Sequence, residues 1–250
     1  MILFLTYHKV VRERPAKPEF YTVRAEQLER QLELLARSGF EPLDPHRLLD
    51  YKDSSKRTYV LSFDDGTQDH YEVVMPVLAR YKQKAIFFVP TAKLDGPGYL
   101  NAGTVKQMSL AGHVIGCHSH EHRRLDRLME EDVRVQLELS QQILGRITGK
   151  PPVIFAPPGG YIVPRVRDVA VETGMRIIRT MKWGYNMHAH LASLDCIPIN
   201  RHLTEMEFNR ILEFRNMALM YRGKQIAKKL MPSKLYEKVR ARLFSLVGRN

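Results

Sequence analysis

Short apolar runs alternate with amphipathic stretches along the chain. The apolar runs predict strands over residues 2–6, 59–63, 85–89, 114–117, 153–155, 175–179 and 194–199. Apolar residues at helical spacing predict helices over residues 24–38, 69–83, 105–110, 130–147 and 164–173, the second of them kinked or restarted at Pro76. Strands that alternate with helices indicate βαβ units and a parallel sheet.

Six or seven such units in 250 residues favour an α/β fold, a single distorted (β/α) barrel of about seven strands. In such barrels the chemistry lies at the carboxyl ends of the strands. We expect residues 1–204 to form this catalytic domain. Residues 205–250 are expected to form a helical, basic, amphipathic C-terminal extension.

Composition narrows the class of protein and the kind of metal site. Hydrophobic residues make up 44% of the chain and charged residues 26%, as in an average globular protein. Two cysteines, Cys117 and Cys196, are too few for a disulfide framework or a cysteine zinc site. With ten histidines in the chain, a metal site should use histidine and carboxylate ligands.

The positive charge is concentrated at the end of the chain. Of a formal net charge of +12, residues 221–250 carry +8, alongside apolar residues spaced three and four apart. This pattern suits an anionic membrane surface, and equally a terminal helix that packs its apolar face on the domain. Nucleic acid ranks last, because no nucleic-acid-binding motif is present.

The first ten residues favour a strand over a signal peptide, since no basic leader or long apolar region is present. No stretch approaches the roughly 18 apolar residues of a membrane span. We therefore expect a cytoplasmic protein, held at the inner face of the membrane if the basic extension binds lipid.

Two acidic residues, Asp64 and Asp65, directly follow the strand at 59–63. Adjacent carboxylates at a strand end are stabilised if one binds a cation, and the other can then serve as a base. Taken alone, the segment is also compatible with an ordinary Asp-Gly turn.

Two further clusters follow predicted strands. His118 and His122 are four residues apart and would share one face of a helical turn, as zinc-binding pairs do; the alternative is a solvated loop. In the third cluster Pro157 and Pro158 lack N–H groups, so Gly159 offers the first free one, a candidate oxyanion donor. A plain Pro-Gly turn is the alternative.

In this order, the three clusters resemble the motifs of the polysaccharide deacetylases, metal-dependent carbohydrate amidases with a NodB-homology domain. Residues 62–66 match the first motif, and His118, Ser119, His122 and Leu125 match the second. Residues 156–160 match the third in part, and the resemblance covers about residues 1–203. It implies that Asp64 is the catalytic base, that Asp65, His118 and His122 bind the metal, and that Gly159 donates its N–H.

The sequence departs from the family pattern in two places. Ala156 stands where the family has an arginine that steadies the base, and we expect Arg201 either to replace it or to form a structural ion pair. The late Leu-x-His motif is not evident. His8, preceded by Tyr7, matches circularly permuted members and is expected to be the catalytic acid.

Supporting roles are expected for Tyr7, Pro158 and Asp69, although Asp69 is more readily explained as the cap of the helix that follows it. The resemblance implies a hydrolase that removes an N-acyl group, in first place N-acetyl, from an amino sugar. Zinc is the default metal, and cobalt or nickel would suit the same ligands.

The absence of an export signal favours a nucleotide-linked or lipid-linked sugar of cell-envelope glycan biosynthesis as the substrate. Two alternatives stay open. One, motivated by Ala156, is a non-catalytic metal-binding or glycan-binding domain. The other is an amidase that acts on a non-sugar amide.

Overall fold

The computed structural model describes residues 1–13, 15–52, 56–187 and 190–213. They divide into two compact units, Met1–Leu203 and a second that begins at Thr204. The basic segment 221–250 lies outside the described residues, so its predicted helix stays a prediction. Within the described ranges, no helix has both the length and the apolar character needed to cross a bilayer.

The first unit alternates strands with helices, as the hydrophobic pattern predicts. The strands are β1 Ile2–Tyr7, β2 Val10–Val11, β3 Val23–Arg24, β4 Glu41–Pro42, β5 Thr58–Phe63, β6 Ala85–Val89, β7 Val114–Cys117, β8 Ile154–Phe155, β9 Ile177–Trp183 and β10 Leu194–Pro198. The α-helices are α1 Ala25–Arg37, α2 Met75–Arg80, α3 Ala102–Leu110, α4 Glu130–Thr148, α5 Pro164–Glu172 and, in the second unit, α6 Glu205–Glu213.

Seven of the strands close into a parallel barrel. They pair in the order β1, β10, β9, β8, β7, β6 and β5, and β1 pairs with β5 from Ile2↔Thr58 to Tyr7↔Phe63 to complete the circle. β4 pairs with the first residues of β5 outside this circle. The predicted barrel of about seven strands is therefore confirmed.

The barrel strands are buried on both faces, which explains why they appear in the sequence as continuous apolar runs rather than alternating ones. Phe4, Val60, Phe88 and Ile154 belong to one buried apolar cluster. Position 116 requires glycine because an added Cβ would lie 2.6 Å from a ring carbon of Phe88. Residues of α4 and α5, among them Leu137 and Val166, form a second cluster with β7 to β9.

Two predicted elements differ most from the structure. The helix expected over 69–83 is a π-helical turn, His70–Val74, followed by α2, and Pro76 lies in the first turn of α2. This bears out the predicted restart at Pro76. The strand expected at 175–179 runs instead over Ile177–Trp183, so Arg179 lies within the strand and not at its end.

Candidate metal centre and catalytic cleft

The strand register brings three titratable residues, His8, Asp64 and His118, to one end of the barrel. Tyr7 pairs with Phe63, so the next residues, His8 and Asp64, follow neighbouring strands. The N–H of Asp64 donates to the carbonyl oxygen of Tyr7 at 2.9 Å. His118 follows β7, which is separated from β5 by β6. Carboxyl ends of parallel strands meet at one edge, which places these side chains together.

A sharp turn separates the roles of the two aspartates. Asp65 and Gly66 both have left-handed backbone, with φ of 77° and 61°, a conformation that aspartate tolerates better than most residues. At Gly66 an added Cβ would also lie 3.2 Å from Pro90, so glycine fits this position best. Asp64, which precedes the turn, is buried, while the side chain of Asp65 is one-third exposed.

Asp65, His118 and His122 form a potential metal-binding group. The Oδ1 atom of Asp65 lies 2.9 Å from Nε2 of His122 and 3.3 Å from Nε2 of His118. Nδ1 of His118 donates to the carbonyl oxygen of Ala156 at 2.6 Å, which leaves its Nε2 lone pair free for a metal. Burial raises the pKa of Asp65, but its interactions with His118 and His122 hold it well below its usual range.

The helical turn predicted to unite the two histidines is wrong. Ser119 and His122 have left-handed backbone, with φ of 62° and 61°, so residues 118–122 form an irregular loop. The hydroxyl of Ser119 accepts the N–H of His122 at 3.1 Å and stabilises this loop. The loop still brings the rings of His118 and His122 together, with centroids 4.9 Å apart.

The donor set fits a divalent transition metal. One ligand atom from each of Asp65, His118 and His122 lies within 4.8 Å of the others. Two imidazole nitrogens and one carboxylate oxygen are ligands that zinc, cobalt and nickel accept, with positions left open for water and substrate. Asp65 and His122 also line a cleft of about 340 Å³, within the usual size range of small-molecule sites.

Asp64 is paired with a buried arginine that sequence reasoning missed. Nη2 of Arg179 donates to both carboxylate oxygens of Asp64, and both side chains are almost completely buried. Burial lowers the pKa of Arg179, but Asp64 outweighs this and raises it above the usual value. Because Phe155 pairs with Ile178, Ala156 and Arg179 follow neighbouring positions of β8 and β9. The guanidinium that pairs with Asp64 therefore comes from β9, the strand next to β8. The family motif has its arginine directly after β8, at the position of Ala156.

The expectation for Arg201 is corrected. Its side chain is exposed and donates to the carbonyl oxygen of Pro18 and to Nε2 of His202, with no contact to Asp64. The signal for Arg179 was its place in the apolar run Ile177–Ile178. A charged residue there is rarely buried without a partner of opposite charge.

His8 lies at the same cleft as Asp65 and His122. Its ring stacks on Tyr21 at 4.5 Å, and its Nε2 is 3.9 Å from Oδ2 of Asp64. That separation exceeds a hydrogen bond, and such contacts are commonly loose before substrate binds. Burial lowers the pKa of His8, and the nearby carboxylates of Asp64 and Asp65 only partly offset this.

Two of the expected supporting residues act differently from the prediction. Tyr7 is buried, stacks on Phe63 and donates its hydroxyl to Gln31 of α1, so its side chain does not line the cleft. Asp69 makes no side-chain cap to the following turn. Its Oδ2 accepts the N–H of Val10 at 2.7 Å instead, which corrects the capping prediction.

The Pro-Pro-Gly-Gly segment forms a short turn, Pro158–Gly160. Pro158 is buried, whereas Gly159 is exposed and has a φ of 69°. The N–H of Gly160 donates to the carbonyl oxygen of Pro157 at 2.8 Å. The role of the Gly159 N–H as an oxyanion donor stays a prediction.

Comparisons with known proteins agree with this geometry. The family model described as polysaccharide deacetylase matches residues 51–178. A peptidoglycan-N-acetylglucosamine deacetylase of Bacillus cereus is 29% identical over 134 residues, which are 52% of this chain and 47% of that protein. The peptidoglycan-N-acetylglucosamine deacetylase PgdA of Listeria monocytogenes is 32% identical over 139 residues, 54% of this chain and 28% of that protein. The chain thus spans about half or less of these relatives.

Among solved structures, the Streptococcus pyogenes deacetylase PplD in complex with acetate has a TM-score of 0.74 and 22% identity, covering 85% of this chain and 96% of that chain. At this level of identity the likeness concerns the fold. It supports the closed parallel barrel seen here.

Proposed function

Because the chain belongs to the polysaccharide deacetylase family, we propose that it hydrolyses an N-acyl group, in first place N-acetyl, from an amino sugar. One observation carries the proposal: a carboxylate paired with a buried arginine, a second carboxylate shared by two histidines, and a third histidine converge at one end of the barrel. A divalent cation bound by Asp65, His118 and His122 would supply Lewis-acid chemistry toward an amide carbonyl.

The chain's own residues would divide the proton transfers between them. Asp64, held by Arg179, accepts a proton from the attacking water. His8 then delivers a proton to the nitrogen of the leaving amine, and the N–H of Gly159 stabilises the oxyanion. The lowered pKa of His8 means that its ring is neutral before the reaction. His8 therefore receives at Nε2 the proton that Asp64 has taken from the water, gives it to the nitrogen of the leaving amine and is neutral again, so the protons balance.

The pairing of Arg179 with Asp64 argues against the alternative of a non-catalytic binding domain. That alternative rested on Ala156, which leaves the base without the arginine of the family motif. Arg179 provides a guanidinium to the same carboxylate from the neighbouring strand. The reason to expect an inactive protein is thereby removed.

For the substrate, we propose an amino sugar that carries phosphate, either nucleotide-linked or lipid-linked. Lys9 and Lys93 line the cleft, and only Glu19 and the metal-binding Asp65 oppose them among its lining residues. When Asp65 binds a cation its charge is neutralised, so the cleft favours an anionic group.

Release of acetate or free amine, followed by mass spectrometry, tests both levels of the proposal. The full chain loaded with zinc, cobalt or nickel is incubated with N-acetylglucosamine oligomers, a nucleoside-diphosphate-linked N-acetylhexosamine, a lipid-diphosphate-linked N-acetylhexosamine and non-sugar N-acetyl amides. We expect turnover of the phosphate-bearing sugars, lost in Asp64→Asn and reduced in Lys9→Gln plus Lys93→Gln. Turnover of only the neutral oligomers would contradict the proposal that the substrate carries phosphate. Turnover of only the non-sugar amides would contradict the proposal that the substrate is a sugar.

We further propose that residues 221–250 bind the anionic surface of the inner membrane face, which would bring the enzyme to a lipid-linked substrate. The support is the charge of +8 beside an apolar stripe, since each basic residue near such a surface contributes about 1 kcal/mol. The full chain should co-sediment with anionic vesicles and dissociate as salt rises, while neutral vesicles serve as control. Failure to bind anionic vesicles at low salt would leave a packed terminal helix as the better interpretation.

A further inference from the structure

The residues that follow the Asp64-Asp65-Gly66 turn reach back to the backbone around His8. Oδ2 of Asp69 accepts the N–H of Val10 at 2.7 Å. Nε2 of His70 lies 2.7 Å from the carbonyl oxygen of His8. Because that oxygen can only accept, Nε2 of His70 carries the proton and donates it. Two consecutive side chains therefore hold the backbone on both sides of Lys9.

The backbone at His8 lies between two strands and depends on such contacts. β1 ends at Tyr7 and β2 begins at Val10, so residues 8 and 9 lie outside both. Of this pair, the carbonyl oxygen of Lys9 is bound by the N–H of Val23. The carbonyl oxygen of His8 is bound by His70.

Oδ2 of Asp64 lies 3.9 Å from Nε2 of His8, which is too far for a hydrogen bond to orient the ring. Its Nδ1 is buried without a hydrogen-bond partner among the described residues. A histidine that transfers protons usually has its orientation set by a hydrogen bond at the nitrogen that does not react. Here stacking on Tyr21 and the position of the backbone must orient the ring. The contacts at His8 and Val10 are therefore the means by which the fold can position Nε2.

Asp69 and His70 each lack an interaction that such a residue commonly makes. His70 is completely buried beside Phe63 and Phe87, its Nδ1 has no partner among the described residues, and burying such a group costs free energy. Asp69 stands at the start of a helical turn, where a cap is common, yet does not cap it. The turn from His70 to Val74 is π-helical, a rare form that is frequently found at functional sites.

We propose that Asp69 and His70 are positioning residues that hold the His8 ring where it delivers a proton to the leaving amine. The inference rests on the proposed function of His8, and it adds the device that places the ring. The two residues act through the backbone of residues 8–10 and touch neither substrate nor metal.

The test compares two leaving groups in the metal-loaded full chain. An N-acetyl amino sugar needs a proton on its amine, whereas 4-nitrophenyl acetate releases a stable phenolate without one. We expect His70→Phe to lower kcat on the amide by about 10-fold to 100-fold, less than the full acid–base contribution of about 10²-fold to 10⁴-fold because His8 itself remains. KM and aryl ester turnover should stay within about twofold. His70→Gln, which keeps a donor, should recover much of the loss, and Asp69→Ala should resemble His70→Phe.

His113→Phe is the matched control. His113 is also buried, also bonds a backbone group, and also packs against the Phe87 ring, but it directly precedes β7 at the amino end of the strands. It should leave the ratio of amide to ester turnover unchanged. Equal losses on both substrates in His70→Phe, or no loss on the amide, would overturn the positioning role.

A crystal structure of His70→Phe separates this inference from the proposed function. We expect Nε2 of His8 to move away from Oδ2 of Asp64, beyond the 3.9 Å of the native chain. An unmoved ring overturns the inference whatever the activity. If the native chain hydrolyses no N-acetyl sugar and the ring nevertheless moves, the proposed function fails while the positioning holds.

Discussion

The two ends of the barrel use histidine in opposite ways. At the amino end of the strands, His113 lies in a groove of about 270 Å³ with apolar neighbours that include Val114, Ile154 and Ile177, the first residues of β7, β8 and β9. Its Nδ1 accepts the N–H of Ala85 at 3.2 Å. At the carboxyl end, His118 and His122 share a carboxylate.

The difference lies in what the ring nitrogens face. Burial, followed by the charges of Lys84 and His46, lowers the pKa of His113 to about 4, so this ring is neutral and supports the fold. His118 donates one nitrogen to a carbonyl group and leaves the other directed at Asp65. One end of the barrel therefore contributes stability and the other chemistry, the division common to this architecture.

Removing the histidines of the carboxyl end should have the largest effect. In His118→Ala plus His122→Ala the metal loses two of its three protein ligands, so bound metal should fall from about one ion per chain to a small fraction of that. Elemental analysis after dialysis measures this, and turnover should disappear with the metal. His113→Asn, from the other end, should keep its metal. Undiminished metal in the double variant would mean that the ion binds elsewhere.

Replacing each aspartate in turn should distinguish the role of Asp64 as base from the role of Asp65 as metal ligand. Asp64→Asn keeps the shape of the side chain and removes the base, so kcat should fall by about 10²-fold to 10⁴-fold while metal content stays near native. Asp65→Asn should instead weaken metal binding, because a ligand charge is lost. Stopped or endpoint acetate assays, run with metal analysis on the same samples, check both. Native turnover in Asp64→Asn would end the mechanism.

The sequence predicted strands best where an apolar run has clear ends. Residues 85–89 and 114–117 were predicted with the bounds that the structure shows. β9 was misplaced because Thr180 and Lys182 interrupt the apolar pattern, although the backbone continues to pair as far as Trp183. A strand held by neighbours on both sides need not be apolar throughout.

Site residues at strand ends could be predicted, but their local geometry could not. The loop of His118 depends on left-handed backbone at Ser119 and His122, which no spacing rule reveals. Arg179 was missed because its partner Asp64 is 115 residues away in sequence. Only the closed barrel brings the two strands into reach, whereas Arg201 looked suitable from the sequence and is turned to solvent.

Arg179 should matter for stability as well as activity. Arg179→Met leaves the carboxylate of Asp64 buried and unpaired, which costs about 3–5 kcal/mol for a buried pair. Adding Asp64→Asn removes that charge, so the double variant should recover part of the loss. Urea unfolding measures both. Lys182→Met on the same strand breaks an exposed pair with Asp195 and should cost at most about 1 kcal/mol. An Arg179→Met chain as stable as native would contradict the assigned pairing.

His113 should give the smallest effect, visible only in acid and only in stability. Its pKa is about 4 in the folded chain against the ordinary 6.5, so the unfolded chain binds more protons between these values. The stabilisation from the neutral ring is complete above about pH 6.5 and is lost as pH falls toward 4, about 3 kcal/mol in all. His113→Asn keeps an acceptor for Ala85 and cannot titrate, so its unfolding free energy should fall less over this range. Urea unfolding with a chelator present excludes the metal ligands from the comparison, and exposed His202→Asn should keep the native pH dependence. Parallel curves for native and His113→Asn would show that the amino-end histidine does not set acid stability.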